Sequence, residues 1–163
     1  MAAVKYGYYA VAFPEFGAER RGAPVKAYTR IDKEVIYEHT PVEAPDAVVV
    51  LDPSMIKSPS ITAGLKERGY LIVNSKKKPS ELRAIISNEG IKLATVDATK
   101  IAMDVFSTPI VNTAMIGAFI AVTKLIPLDY VIEAIRDKFP ERLANPNVLI
   151  LKQAHDSVEV EGE

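Results

Sequence analysis

The 163-residue sequence contains no cysteine. That excludes disulfides, thiolate nucleophiles, cysteine-ligated iron–sulfur clusters and cysteine-type zinc sites within the chain. Only two histidines occur, His39 and His155, and neither has a second ligand at metal spacing. Both read as surface histidines, and no metal site is assigned. The patterns G-x-S-x-G, H-E-x-x-H, G-x-x-x-x-G-K-[ST] and G-x-G-x-x-G are all absent. No recognised nucleophile, metalloprotease or phosphate-loop chemistry is therefore supported, and no catalytic residue is assigned. Neither sign of charge is in excess: 20 Lys and Arg stand against 21 Asp and Glu, a net charge of −1. Such a field suggests neither nucleic acid nor an anionic membrane as partner. The most apolar stretch, 110–126, is interrupted by Asn112, Thr113, Thr123 and Lys124. It is too short and too polar to span a bilayer. The first residues lack a basic region followed by an apolar core, so no signal peptide is expected. With no cysteine to pair, a cytoplasmic location is the expectation.

What is present suits one globular domain over 1–163, with 48% hydrophobic and 25% charged residues. Three apolar runs end in a small polar residue: Ala47 to Leu51 before Asp52, Tyr70 to Val73 before Asn74, and Lys92 to Val96 before Asp97. Short unbroken runs of this kind suit strands buried on both faces of a parallel sheet. The intervals between them have room for crossover helices. Ile61 to Arg68, before Gly69, reads as one helix and Ser80 to Ser87, before Gly90, as the other. Upstream, Tyr8 to Phe13 and Val25 to Ile31 read as strands, and Asp32-Lys33 as a turn into a further strand over Glu34 to Tyr37. The sheet is thus expected to be mixed but mostly parallel, in a three-layer α/β/α fold. Helices follow. Thr113 to Lys124 comes after Asn112 as N-cap, with Gly117, Ala118 and Ala121 suited to close packing. The next starts after Pro127, with Leu128, Val131, Ile132, Ile135 and Phe139 on one apolar face. Asn145-Pro146 resembles a cap and first residue opening a last helix. The acidic end, Glu159 to Glu163, is expected to fray. Ala2 to Tyr6 before Gly7 reads as the tail of a helix.

The most distinctive segment is Phe13 to Pro24. Glu19, Arg20 and Arg21 lie between two glycines, Gly17 and Gly22, and two prolines, Pro14 and Pro24. Glycine opens backbone shapes closed to other residues, whereas proline fixes φ and extends the residue before it. A shaped loop aiming two guanidiniums is expected, and guanidiniums suit carboxylate or phosphate. A surface ion pair is the plainer alternative. Asp52, Asn74 and Asp97, at strand ends, are candidates for the carboxyl edge of the sheet, where open α/β folds bind ligands, and Asn112 and Thr113 join them. Capping of the elements that follow is the plainer reading for Asp52 and Asp97. Lys76-Lys77-Lys78 could attract a phosphate, but a solvated loop is the better reading.

The run from Ala12 to Val25, continuing through Ala27 to Asp32, closely resembles the gamma subunit of pyruvate:ferredoxin oxidoreductases and of their 2-ketoisovalerate relatives. Further similar segments follow in order: Val50 to Pro53, Ile72 to Asn74, Val96 to Ala102, and Ile110 to Phe119. The Arg-Arg-Gly-Ala-Pro form is more similar to the pyruvate and ketoisovalerate branch than to the 2-oxoglutarate branch. The resemblance covers nearly the whole chain. It implies a subunit of a complex that decarboxylates a 2-oxoacid, most readily pyruvate, with coenzyme A as co-substrate. The products would be an acyl-CoA, carbon dioxide and reduced ferredoxin. It further implies alpha, beta and delta partner subunits, with thiamine diphosphate between alpha and beta and iron–sulfur clusters in beta and delta. No cofactor is expected in this chain itself. Glu19, Arg20, Arg21, Gly22, Ala23 and Pro24 would form a loop on the CoA side or at a subunit contact. The family's gamma subunit opens with a strand and a turn of the type Gly-Arg-Gly-Gly-Gln-Gly, which this sequence lacks. Two other readings therefore stay open: a non-catalytic scaffold without CoA binding, and a free-standing nucleotide-binding domain.

Overall fold

In a computed structural model the described residues are 1–15, 25–86 and 88–162. Three parallel strands form the centre, where unbroken apolar runs were expected: β3 (Ala47–Val50), β4 (Tyr70–Asn74) and β5 (Lys92–Val96). Alternate residues supply opposite faces. Ile72, Ala94 and Val96 pack against α3 (Ala98–Phe106), α4 (Asn112–Thr123) and α6 (Glu141–Ser157). Leu71, Val73 and Leu93 pack on the other side against Ile61, Leu65, Leu82 and Ile86. The three-layer α/β/α reading therefore holds, with a mixed sheet ordered β3-β4-β5-β6.

The second layer is thinner than expected. No α-helix spans 61–68. The chain from β3 to β4 takes two 3-10 turns, Pro53–Lys57 and Pro59–Ile61, followed by irregular turns. The cause is local and tertiary at once. Gly64 sits at φ +74°, and a Cβ there would overlap the Glu43 carbonyl oxygen. Arg68 also has φ 62°, and the Lys66 amide donates to Pro45 O at 3.0 Å rather than along a helix. Left-handed residues cannot continue a right-handed helix. The second crossover is helical only over α2 (Pro79–Arg83), with Ser87 outside the described residues.

The sheet is mixed for a different reason than the sequence suggested. Among the described residues β1 (Tyr9–Glu15) and β2 (Lys26–Asp32) pair only with each other, antiparallel, as a separate two-stranded sheet. Tyr8, Ala10 and Ile31 seat this ladder on a cluster built by α1 (Ala2–Lys5), α5 (Leu128–Lys138) and one flank of α4 and α6. The expected turn and strand over Asp32 to Tyr37 do not form. Asp32 Oδ1 accepts from the Glu34 amide at 3.1 Å, which ends β2, and residues 35–39 are irregular. Arg30 then ties the segment back, donating to Thr40 O at 2.6 Å and to Glu38 Oε2 at 3.2 Å.

The antiparallel strand of the main sheet is β6 (Glu159–Val160), which pairs with β5 at Thr95 and Ala94. The acidic end is thus held through Glu161 rather than frayed, and Glu163 lies outside the described residues. Arg83 is the reason. Its guanidinium donates to the Glu161 carboxylate, to Asn88 O at 2.7 Å and to Ile91 O at 2.9 Å. The hydrogen bond from Arg83 holds the Glu161 carboxyl below its ordinary value, outweighing burial. A depressed carboxylate stabilises the fold fully above its ordinary value of 4.5, and that stability is lost as pH falls through the folded value. Protection of the Glu161 amide, which donates to Leu93 O at 2.9 Å, should therefore drop on acidification below that value. The variant Glu161→Gln should remove this pH dependence. Arg83→Ala, which also strips the donors from two carbonyls, should cost about 1–3 kcal/mol by denaturant titration. Unchanged protection across that pH range would contradict the assignment.

Two helix boundaries also differ. α4 starts at Asn112, with Val111 in the cap position and no side-chain cap. α6 starts not at Asn145 but at Glu141, where Pro140 O accepts from the Leu143 and Ala144 amides at 2.8 and 2.9 Å. Pro146 lies in its second turn, so only the bond to the Arg142 carbonyl is forgone. Burial of Ala144, Asn147 and Val148 outweighs that loss. On α5, Val131, Ile132 and Ile135 are buried as the spacing requires, while Phe139 stays 36% exposed past the helix end.

Candidate functional site

The loop Glu19 to Pro24, with Arg20, Arg21, Gly22 and Ala23, lies outside the described residues. Its anchorage is described. The β1–β2 ladder runs in register from Tyr9 opposite Asp32 to Glu15 opposite Lys26, so residues 15 and 26 are held side by side. Tyr28 Oη donates to Glu15 Oε2 at 2.6 Å, and its ring lies 5.6 Å from that of Phe13. The hydrogen bond to Glu15 raises the Tyr28 pKa, with burial and the carboxylate's charge adding to it.

At the carboxyl edge of the sheet the structure brings three sequence candidates together. Asn74, 3% exposed, is the junction. Its Nδ2 donates to Leu51 O and to Thr99 Oγ1, each at 2.9 Å, and its Oδ1 accepts from the Thr99 amide at 3.2 Å. One side chain thus ties the exit of β3 to the end of β4 and the start of α3. Thr99 enters the sequence reading only as part of the Val96 to Ala102 segment. Asp52 caps the first 3-10 turn, accepting from the Ser54 amide at 2.9 Å, and this backbone hydrogen bond lowers its pKa. Asp97 caps α3 by accepting from the Lys100 amide at 2.9 Å. Capping, the plainer reading, accounts for both carboxylates.

Asn112 and Thr113 do not join them. Thr113 Oγ1 donates to Asn147 Oδ1 at 2.6 Å, and Gly117 packs on Leu151, so α4 and α6 run parallel. Ser157 lies ten positions after Asn147 in α6, or roughly 15 Å at the helical rise. Ser157 lines the carboxyl edge beside Asp97. Thr113 is buried in a helix contact instead, and Asn112 is exposed.

Two hollows open on the surface, the smaller of them at this edge. One of about 620 Å³ lies between the 3-10 turns and the end of α2, lined by Ile56, Ser58, Ile61, Ile85 and Asn88 among others. The other, about 290 Å³, lies beyond β4 and β5 and is lined by Lys76, Lys77, Lys78, Asp97, Lys100 and Glu159, with Ser157 at its rim. Lys76 to Lys78 are exposed, as expected of a solvated loop. Lys100 Nζ binds Asp104 Oδ2 at 2.6 Å, and this hydrogen bond raises its pKa. His155 Nδ1 lies 2.9 Å from Asp156 Oδ1, and His39 is exposed. Among the described residues no group of His, Asp or Glu is placed to hold a metal ion, and no helix is long and apolar enough to cross a membrane.

Residues 1–157 match the family described as pyruvate ferredoxin/flavodoxin oxidoreductase, and the chain belongs to that family. It is similar to the pyruvate/ketoisovalerate oxidoreductases common subunit gamma of Pyrococcus furiosus, with 45% identity over 159 residues, 98% of this chain and 86% of the relative. It is 40% identical over 161 residues to the pyruvate synthase subunit PorC of Methanothermobacter marburgensis, covering 99% of this chain and 87% of the relative. Among solved structures, the pyruvate oxidoreductase subunit PORC of Thermotoga maritima superposes with a TM-score of 0.85 at 38% identity, over 98% of this chain and 85% of that one. A 2-oxoglutarate:ferredoxin oxidoreductase from Magnetococcus marinus, bearing 2-oxoglutarate, coenzyme A and succinyl-CoA, shares the fold at a TM-score of 0.73 and 17% identity, over 95% of this chain and 26% of its own.

Proposed function

We propose that the chain is the gamma-type subunit, one domain over 1–163, of a 2-oxoacid:ferredoxin oxidoreductase whose 2-oxoacid is pyruvate. The observation that carries this reading is 45% identity to a common gamma subunit across 98% of the chain. The complex joins the acyl group of a 2-oxoacid to the thiol of coenzyme A, releases carbon dioxide and passes the electrons to ferredoxin. Alpha, beta and delta subunits are its partners. Thiamine diphosphate and the iron–sulfur clusters belong to those partners. The donor set here supports that division, since a chain without cysteine offers no thiolate for a cluster. Thiamine diphosphate supplies the carbanion chemistry where it binds. The residues of this chain position and neutralise. In this reading Arg20 and Arg21 face the CoA side or a subunit contact, and the β1–β2 ladder holds the ends of their segment.

One observation favours the scaffold alternative: Asp52, Asn74, Asp97 and Thr113 are all engaged by partners within the chain. The two readings differ in a reconstituted complex carrying Arg20→Glu or Arg21→Glu. If the arginines face CoA, its KM should rise about tenfold or more, the effect of losing one charge-assisted hydrogen bond and adding a repulsion, with assembly intact. If the chain is a scaffold, assembly weakens and the KM for CoA in whatever complex remains is unchanged. No change in either would remove the loop from the functional site.

A further inference from the structure

The hollow beyond β4 and β5 has a chemistry that the foregoing reading leaves unassigned. Its wall contains Lys76, Lys77, Lys78 and Lys100 against two carboxylates, Asp97 and Glu159. Asp97 accepts the Lys100 amide as the cap of α3 and keeps its charge, and the Glu159 carboxylate makes no ion pair among the described residues. Lys100 is engaged with Asp104. Among the described residues, Lys76, Lys77 and Lys78 make no ion pair, and the lysines of the wall outnumber its carboxylates, so the recess keeps a net positive charge. Like charges so close repel one another, and an anion between them relieves that repulsion.

Position and rigidity add to charge. The hollow opens at the carboxyl ends of two parallel strands, the place where open α/β sheets receive ligands. The segment that carries the lysines is fixed at both ends. The Ser75 amide donates to Val96 O at 2.9 Å and the Lys77 amide to Ser75 Oγ at 3.0 Å. Downstream the Lys78 amide donates to Glu81 Oε2 at 2.8 Å, and Pro79 is buried. The stems of the three lysines therefore start from a set backbone, although their tips stay in solvent.

We infer that this hollow is an anion site for a diphosphate group, with Lys76, Lys77 and Lys78 as its cations. Three unpaired ammoniums suit a diphosphate better than a single carboxylate, and lysine binds phosphate as a point charge. About 290 Å³ admits such a group but lies just below the range for whole ligands, about 300–1,000 Å³. The bulk of any larger phosphate ester would lie outside it. The inference stands on this wall alone and does not require the CoA-dependent reading.

The test uses the full chain and inorganic pyrophosphate, with binding followed by calorimetry and by 31P NMR at low ionic strength. Saturable binding is expected, weakened by added salt as screening requires. The triple variant Lys76→Gln, Lys77→Gln, Lys78→Gln should weaken it about tenfold or more, and the corresponding triple Arg variant should retain it within about threefold. A charge-matched control, Lys33→Gln, Lys138→Gln, Lys152→Gln, removes exposed lysines elsewhere and should leave it unchanged. Competition separates the sources: orthophosphate should displace pyrophosphate poorly, and a nucleoside diphosphate well. Absence of saturable binding overturns the inference, as does equal weakening in the control, which would mean attraction by net charge alone. Circular dichroism confirms that each variant is folded. CoA-dependent turnover of the reconstituted complex is measured separately, so failure of pyrophosphate binding here leaves the gamma-subunit reading standing, and the reverse.

Discussion

Replacing Gly117 by alanine should destabilise this protein, even though alanine is the better helix former. In α4 the exchange gains about 0.8–1.0 kcal/mol of intrinsic propensity. Against it stands a contact with backbone. A Cβ at Gly117 would overlap the Leu151 carbonyl oxygen and come within 3.2 Å of the His155 amide nitrogen. A backbone carbonyl in α6 cannot rotate away as a side chain could, so the two helices must part. Overpacking typically costs about 1–3 kcal/mol and occasionally more, and a clash with main chain belongs at the upper end. We expect a net loss of about 2 kcal/mol for Gly117→Ala and of more than about 4 kcal/mol for Gly117→Val. For a domain of this size each kcal/mol lowers Tm by about 2–4 °C. Parting the helices also breaks the buried bond between Thr113 and Asn147. The neighbouring change Ile116→Ala removes a side chain that is 46% exposed and should cost under about 1 kcal/mol. Thermal melts of the three variants decide the matter. Equal stability of Gly117→Val and the parent would mean that α4 and α6 do not meet there.

The variant Asn74→Asp should be among the most damaging single-atom changes in the chain, and its cost should depend on pH. The Nδ2 that donates to Leu51 O and Thr99 Oγ1 becomes a carboxylate oxygen facing a carbonyl oxygen. At 3% exposure no water replaces the lost donor. A buried unpaired charge of this kind costs about 3–5 kcal/mol. Burial and the facing carbonyl favour the neutral acid, so the folded pKa of the new group lies above its unfolded value. The penalty is therefore smallest below the ordinary carboxylate range, grows as pH rises through it, and is complete above the raised folded value. Urea titrations at pH 4 and pH 8 should show the larger loss at pH 8. The control Asn145→Asp, on an exposed part of α6, should shift stability by less than about 0.5 kcal/mol at either pH. A pH-independent loss at position 74 would mean that Asn74 is not the buried junction of β3, β4 and α3.

Much of the carboxyl edge was legible from residues alone because its cues are local. A run of β-branched residues must be buried on both sides, and an Asp at the end of such a run has a nearby amide to cap. Asp52 and Asp97 follow that rule. The helix expected over 61–68 did not follow it, because its apolar spacing says nothing about Glu43 O crowding Gly64. Asn145-Pro146 misled in the same way. The dipeptide is a good helix start in isolation, but the buried face of α6 continues upstream through Ala144. Thr113 illustrates a further limit. Its polarity marked it for the ligand edge, but its hydrogen bond to Asn147 marks it as a helix-packing residue.

By itself the sequence determined the three central strands, the absence of any cysteine chemistry and the family, because periodicity, composition and the Glu19 to Pro24 motif are properties of neighbouring residues. Tertiary structure alone decided three other things. It paired β1 with β2 apart from the main sheet, turned the acidic end into β6 under the grip of Arg83, and ran α4 parallel to α6 through Gly117. Each depends on contacts between residues far apart in the chain. Their free energy comes from burying shared surface and satisfying distant donors, and no local pattern encodes that.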